Sequence, residues 1–187
     1  MKFMFKKCIV FLICFQFGYS QEYKDSEILK ILLSKYYANE KVIVKNRLQL
    51  LTFYCQKSPN NEETLEVISK NPLLKKHATE IKKQINNKLI ENWSNEFEIL
   101  FTNQNQYLKS KVNNCVSFEE FQALSKKHGE NNQRLFIISK PMYFAQKYCL
   151  VKVTFYRNIE HNNGSFFLFE KINNVWILKE TLNQWAT

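Results

Sequence analysis

From Asp25 to about His128 the apolar positions recur mostly at helical spacing, and after Arg134 the period shortens to two. Ile28, Leu29, Leu32, Leu33 and Tyr36 form one stripe, and Asp25 or Ser26 is placed to cap the helix that carries it. A second segment, 41–57, has Leu48, Leu51 and Cys55 at helical spacing, with Val42-Ile43-Val44 as an alternative strand start. Ser58-Pro59-Asn60-Asn61 breaks it. Asn71-Pro72 joins a cap to a proline at the first helical position and predicts a helix running to about Asn92. Ser94 opens another through Phe97, Leu100 and Phe101. Ser117-Phe118-Glu119-Glu120 is a capping box, and Gly129 ends its short helix.

Leu135 to Ser139, Lys147 to Tyr156, Ser165 to Lys171 and Val175 to Leu182 read as strands. Pro141 separates the first two, and His161-Asn162-Asn163-Gly164 reads as a turn. Asn173-Asn174 is a two-residue hairpin turn, because asparagine tolerates positive φ. Cys149, Val151, Val153 and Phe155 share one face of the long strand, and Leu150, Lys152, Thr154 and Tyr156 the other. Apolar groups on both faces predict a sheet covered on one side and partly sheltered on the other. The expected fold is α+β: N-terminal helices over 25–130, then a C-terminal antiparallel β-meander of about four strands over 134–187. Residues 21–187 form the expected single mature domain, and 45% hydrophobic residues are enough for its core.

The first twenty residues have a different character. Lys2, Lys6 and Lys7 precede the apolar run Cys8 to Phe15, and Gly18-Tyr19-Ser20 places small residues at a cleavage site before Gln21. This is the pattern of a signal peptide, and the run is too short for a hydrocarbon core of ~30 Å. Ile13-Cys14 lacks the small residue that lipidation of a cysteine would need. The expected location is therefore exported, periplasmic or secreted, with no transmembrane span after cleavage. Removing 1–20 takes away three lysines, lowers the charge from +10 to +7, and leaves Cys55, Cys115 and Cys149. One disulfide among these three is a candidate in an oxidising compartment, with its pairing open; the alternative is buried thiols acting as small hydrophobes.

The positive charge does not read as a nucleic-acid footprint. Only Arg47, Arg134 and Arg157 are arginines among 27 cationic residues, and arginine is the residue suited to bidentate phosphate and base contacts. Lys75-Lys76, Lys82-Lys83 and Lys126-Lys127 are doublets on expected helix surfaces, mixed with glutamates. With glycine only at 18, 129 and 164, neither a Walker loop nor a dinucleotide-binding fingerprint exists. His77, His128 and His161 have no zinc-like spacing, and His77 with Glu80 reads as a helix-surface pair. No metal and no cofactor are expected. Cys115, after Asn113-Asn114 in an expected loop, is the most reactive of the cysteines.

Ser139-Lys140-Pro141, the strand Tyr148-Cys149-Leu150-Val151-Lys152-Val153, and Leu168-Phe169-Glu170-Lys171 leading to Trp176 and Trp185 form a distinctive tail. It resembles the C-terminal module of small uncharacterised exported proteins of Bacteroidetes, and covers about fifty residues. The resemblance implies export and an antiparallel sheet, and no reaction. The order of helices followed by an aromatic-ending meander is also similar to the cystatin-like and nuclear-transport-factor-like cone folds, in topology alone. The functional expectation is a non-catalytic binding or interaction module for a protein or small-molecule partner, with Tyr156 and Trp185 as its outward contacts. The alternative is an enzyme or small-molecule binder with a pocket on the concave face of a cone-like sheet, using His128, Glu170 and Tyr156.

Overall fold

A computed structural model describes residues 25–37, 43–44, 47–48, 50–85, 91–102, 106–112, 115–129 and 133–187. The expected signal peptide lies outside them. Helix α1 covers 25–37. Strands β1 (Ile43–Val44), β2 (Arg47–Leu48) and β3 (Leu50–Phe53) follow. Next come helices α2 (Glu62–Lys70), α3 (Pro72–Lys76), α4 (Ala78–Ile85), α5 (Ser94–Phe101), α6 (Gln106–Val112) and α7 (Phe118–His128). The chain then forms β4 (Gln133–Ile138), β5 (Met142–Phe144), β6 (Tyr148–Tyr156), β7 (Asn162–Ile172) and β8 (Val175–Ala186). The protein is α+β, with helices in its N-terminal half and an open antiparallel sheet at its C-terminal end.

Local signals account for several boundaries. The Asn71 side chain accepts from the N–H groups of Leu73 and Leu74, with Pro72 at the first helical position. The Ser117 N–H donates to Glu120 Oε2, and the Glu120 N–H donates back to Ser117 Oγ. Gly129 closes the same helix at φ 88°. Asn173 and Asn174 both adopt positive φ between β7 and β8, as a two-residue hairpin with the right-handed strand twist requires.

The four expected strands are present as β4, β6, β7 and β8, and two further strands, β3 and β5, join them. The sheet has six strands in the order β3-β4-β6-β7-β8, with β5 paired to β6. The expected helix over 41–57 is replaced there by β1, β2 and β3, and β3 pairs with β4 in parallel. Leu51 and Cys55 stand four apart, a spacing common to both periods, so periodicity alone did not decide between them. The helix expected to run on from Pro72 is broken at His77, where i→i+3 bonds from His77 to Leu74 and from Glu80 to His77 tighten the turn. The expected turn at 161–164 moves forward: β7 already begins at Asn162, opposite Tyr156.

Strands β4 and β5 lie end to end along one edge of β6, interrupted by Ser139-Lys140-Pro141. Ser139 repairs that break. Its N–H donates to the Lys152 carbonyl, and its Oγ accepts from the Lys152 N–H, so the ladder survives beside Pro141. Strand β8 is the outer edge of the described sheet. Two register shifts, Asn183 at φ 45°, and the charged Lys179 and Glu180 interrupt its regularity, devices that discourage edge-to-edge pairing.

Helices cover both faces, where one covered face and one partly sheltered face were expected. On the first, Ile28, Leu29, Leu32, Leu33 and Tyr37 of α1 pack with residues including Phe53, Phe136, Val151, Phe167 and Trp176. On the second, Val67, Ile68, Leu74 and Ile81 of α2–α4 meet Met142, Phe144, Leu150, Phe166 and Leu168. The alternation along β6 feeds both cores, so its odd and even positions are apolar for different partners.

Cys55 and Cys115 form a disulfide across a separation of 60 residues, and Cys149 is a buried free thiol. Cys115, expected to be the most reactive cysteine, is thus held in a crosslink with Cys55. Replacing Cys55 and Cys115 by alanine should lower stability by about 2–4 kcal/mol, because a long loop is released in the unfolded chain. A shift of the urea midpoint at constant slope is the readout, and an unmoved midpoint would show that the bond constrains nothing.

Candidate functional site

One end of the second sheet face opens into a cavity of about 440 Å³. Helix α7 supplies Phe121, Gln122, Ser125 and Lys126, and the end of β6 with the following turn supplies Tyr156 to Glu160. The Tyr156 ring is fixed between two others, 5.2 Å from Phe118 and 6.1 Å from Phe121. Beyond it the turn is shaped by Asn158, whose Oδ1 accepts from the N–H groups of Glu160 and His161. That turn leaves Ile159 88% exposed at the rim. Neither Lys126 nor Arg157 has an ion-pair partner within 4.0 Å among the described residues, although Glu160 stands on the same wall. The lining therefore carries two cations to one acid around an aromatic floor.

A second constellation lies on the opposite sheet face. Residues 54–58 continue β3 as an extended segment, bonded alternately to β4 (Tyr54 to Phe136, Ser58 to Ile138) and to Val116 and Glu91. This path turns the Lys57 side chain inward. Its Nζ lies 2.7 Å from Asp25 Oδ2, at the start of α1, and 2.5 Å from Glu96 Oε1, in the first turn of α5. The three side chains are only 5%, 3% and 3% exposed. The Trp93 ring centroid is 4.7 Å from Nζ, and the Tyr143 hydroxyl donates to Asp25 Oδ1 at 2.8 Å. Glu91, paired with Lys140, lies 3.6 Å from Nζ toward the outside.

Electrostatics follow from one ammonium serving two buried carboxyl groups. Burial pushes the Asp25 carboxyl above the usual carboxylate range, and Lys57 only partly opposes it. The same causes raise Glu96. Burial disfavours the Lys57 ammonium, but Asp25 and Glu96 outweigh it and the net shift is upward. Glu96 Oε2 and Trp93 Nε1 are buried with no hydrogen-bond partner among the described residues. Cys149 lies beside Tyr143, and burial pushes its thiol well up, away from reactive thiolate character.

The candidates read from the sequence are dispersed. Tyr156 lines the cavity, and His128 is exposed at the end of α7. Glu170 lies opposite Tyr148, whereas Tyr156 lies opposite Asn162. Eight residues of strand separate them, roughly 26 Å, so His128, Glu170 and Tyr156 do not assemble into one pocket. Trp185, expected to point outward, is half-buried against Gly164, where an added Cβ would come within 2.7 Å of both its ring and the Val153 carbonyl. The Lys57 cluster left no signal in the chain: Asp25 looks like a cap, and Lys57 stands 32 positions from Asp25 and 39 from Glu96.

Glu170 has a structural role instead. Lys179 and Lys147 both donate to it and hold its carboxyl down at about 2. A depressed carboxyl stabilises the fold above its unfolded value, and that contribution disappears as pH falls toward 2. An NMR titration should find its midpoint near 2; an ordinary glutamate midpoint would show that the two lysines do not hold it.

Among the described residues no helix is long and apolar enough to cross a membrane, and no group of three metal-ligating side chains is present. Comparison with protein-family models, with curated proteins and with solved structures finds no match to this chain.

Proposed function

We propose that this protein is an exported, non-catalytic binding module whose site is the Tyr156 cavity, and that its ligand is a small anion carrying a flat ring. One observation carries the reading: Lys126 and Arg157 border a 440 Å³ space floored by Tyr156, and among the described residues no carboxylate pairs with either cation. The partly exposed Tyr156 ring offers an apolar surface to a flat ring, and a lysine with an arginine supplies charge-assisted donors for a carboxylate. Few convergent polar groups around an apolar floor is the usual composition of a small-molecule site. Support for export comes from the leader pattern, from the tail's resemblance to exported Bacteroidetes proteins, and from the Cys55–Cys115 bond, which suits an oxidising compartment.

Calorimetry of the purified protein against aromatic carboxylates tests the reading. Arg157→Gln should weaken binding by about tenfold to a hundredfold, as expected for a lost hydrogen bond to a charged group. Tyr156→Ala should weaken neutral-ring contacts without altering the salt dependence. Affinity that survives both substitutions would place the ligand elsewhere, and turnover on a hydrolase panel would overturn the non-catalytic reading. N-terminal sequencing of the protein recovered outside the cytoplasm should begin at Gln21.

A further inference from the structure

We infer that Lys57 and Asp25 join through an intramolecular amide bond, with Glu96 moving the proton between them. Three features of the cluster lead there. The Lys57 amine is held 2.7 Å from an Asp25 oxygen, which sets the carboxyl carbon at about the 3–3.5 Å of a near-attack arrangement. Both partners are almost fully buried, so neither is diverted by water. Glu96 touches the same amine through Oε1 and keeps Oε2 buried and unpartnered.

The step needs nothing from outside. Lys57 passes one proton to Glu96 and becomes a neutral amine. Its lone pair forms the C–N bond to the Asp25 carboxyl carbon, and negative charge collects on Oδ1, where the Tyr143 hydroxyl already donates. Glu96 delivers this first proton to Oδ2, then takes the second proton that the nitrogen loses and passes it to the same oxygen. The C–O bond breaks, one water leaves, and Glu96 returns to its initial state. Ammonium plus carboxylate become amide plus water, with no oxidation or reduction.

The environment favours that product. An ammonium facing two carboxyl groups in a dry site is a costly arrangement, because desolvation offsets the attraction. Condensation removes both charges of the Lys57–Asp25 pair and leaves one acid able to hold its proton. The Trp93 ring over Nζ closes the site on one side, while the Glu91–Lys140 pair marks the way out for the released water. The bond would staple the start of α1 to the extended segment beside β4.

Peptide mapping of the full chain, denatured and reduced, decides the matter. The expected result is a branched peptide joining the Asp25 and Lys57 segments, lighter by one water than the two linear peptides together. Linear Asp25 and Lys57 peptides in full yield would overturn the proposal. Glu96→Gln preserves the shape and should leave the two peptides unlinked; complete crosslinking in that variant would remove Glu96 from the mechanism. If Glu96→Gln fails to fold, the wild-type map alone still decides whether the amide exists.

Discussion

Lys57→Ala, which removes the partner of Asp25 and with it the amide inferred above, is expected to lower stability by at least about 3–5 kcal/mol, the range for breaking a buried charge pair on one side. The lysine satisfies Asp25 and Glu96 at once, and its removal leaves two carboxyl groups facing each other under Trp93. Those groups already titrate above the ordinary range through burial, and losing the cation raises them further. A carboxyl with a raised folded value stabilises fully below its unfolded value and loses that contribution as pH rises through the folded one. The deficit of the variant should therefore shrink in mild acid and grow toward neutral pH. Denaturant midpoints at two pH values measure it. A triple replacement, Lys57→Met with Asp25→Asn and Glu96→Gln, should recover part of the loss, because no charge remains unpaired. An unmoved midpoint for Lys57→Ala would show that water reaches the cluster.

Trp176→Ala should cost a similar amount, about 3–5 kcal/mol, as the truncation of a large buried side chain. In a domain of this size that corresponds to a fall in melting temperature of roughly 6–20 °C. Trp176 stands second in β8, directly across from Lys171, and is 5% exposed. Its ring packs 5.7 Å from Tyr143 and lies under the Lys171 ammonium at 5.6 Å. The residue thus ties the last hairpin to the strand that carries the Asp25 contact, and a cavity there loosens two elements. Trp176→Phe should retain much of the stability by filling part of the volume. Unchanged melting of Trp176→Ala would mean the ring is exposed, and would make it a binding residue.

What the chain settles unaided is local. The caps at Asn71 and Ser117, the stop at Gly129 and the Asn173-Asn174 hairpin depend on residues within a few positions of one another, so each was legible. The alternating faces of β6 were legible for the same reason, because side-chain direction follows the backbone period. The α+β order followed from these. Where a residue pattern serves two periods, as in the segment around Leu51, the decision passed to the parallel partner β4, which begins more than eighty positions later. Strand β5 is three residues long, too short for any period, and exists because β6 offers it a ladder. Cys55 with Cys115, Lys57 with Asp25 and Glu96, and Tyr143 with Asp25 are contacts across 60, 32, 39 and 118 positions. Tyr156 could be named from its strand, but its cavity needed α7 laid beside it. Short-range order is written in neighbouring side chains; chemistry here arises where distant segments exclude water together, and only packing brings them there.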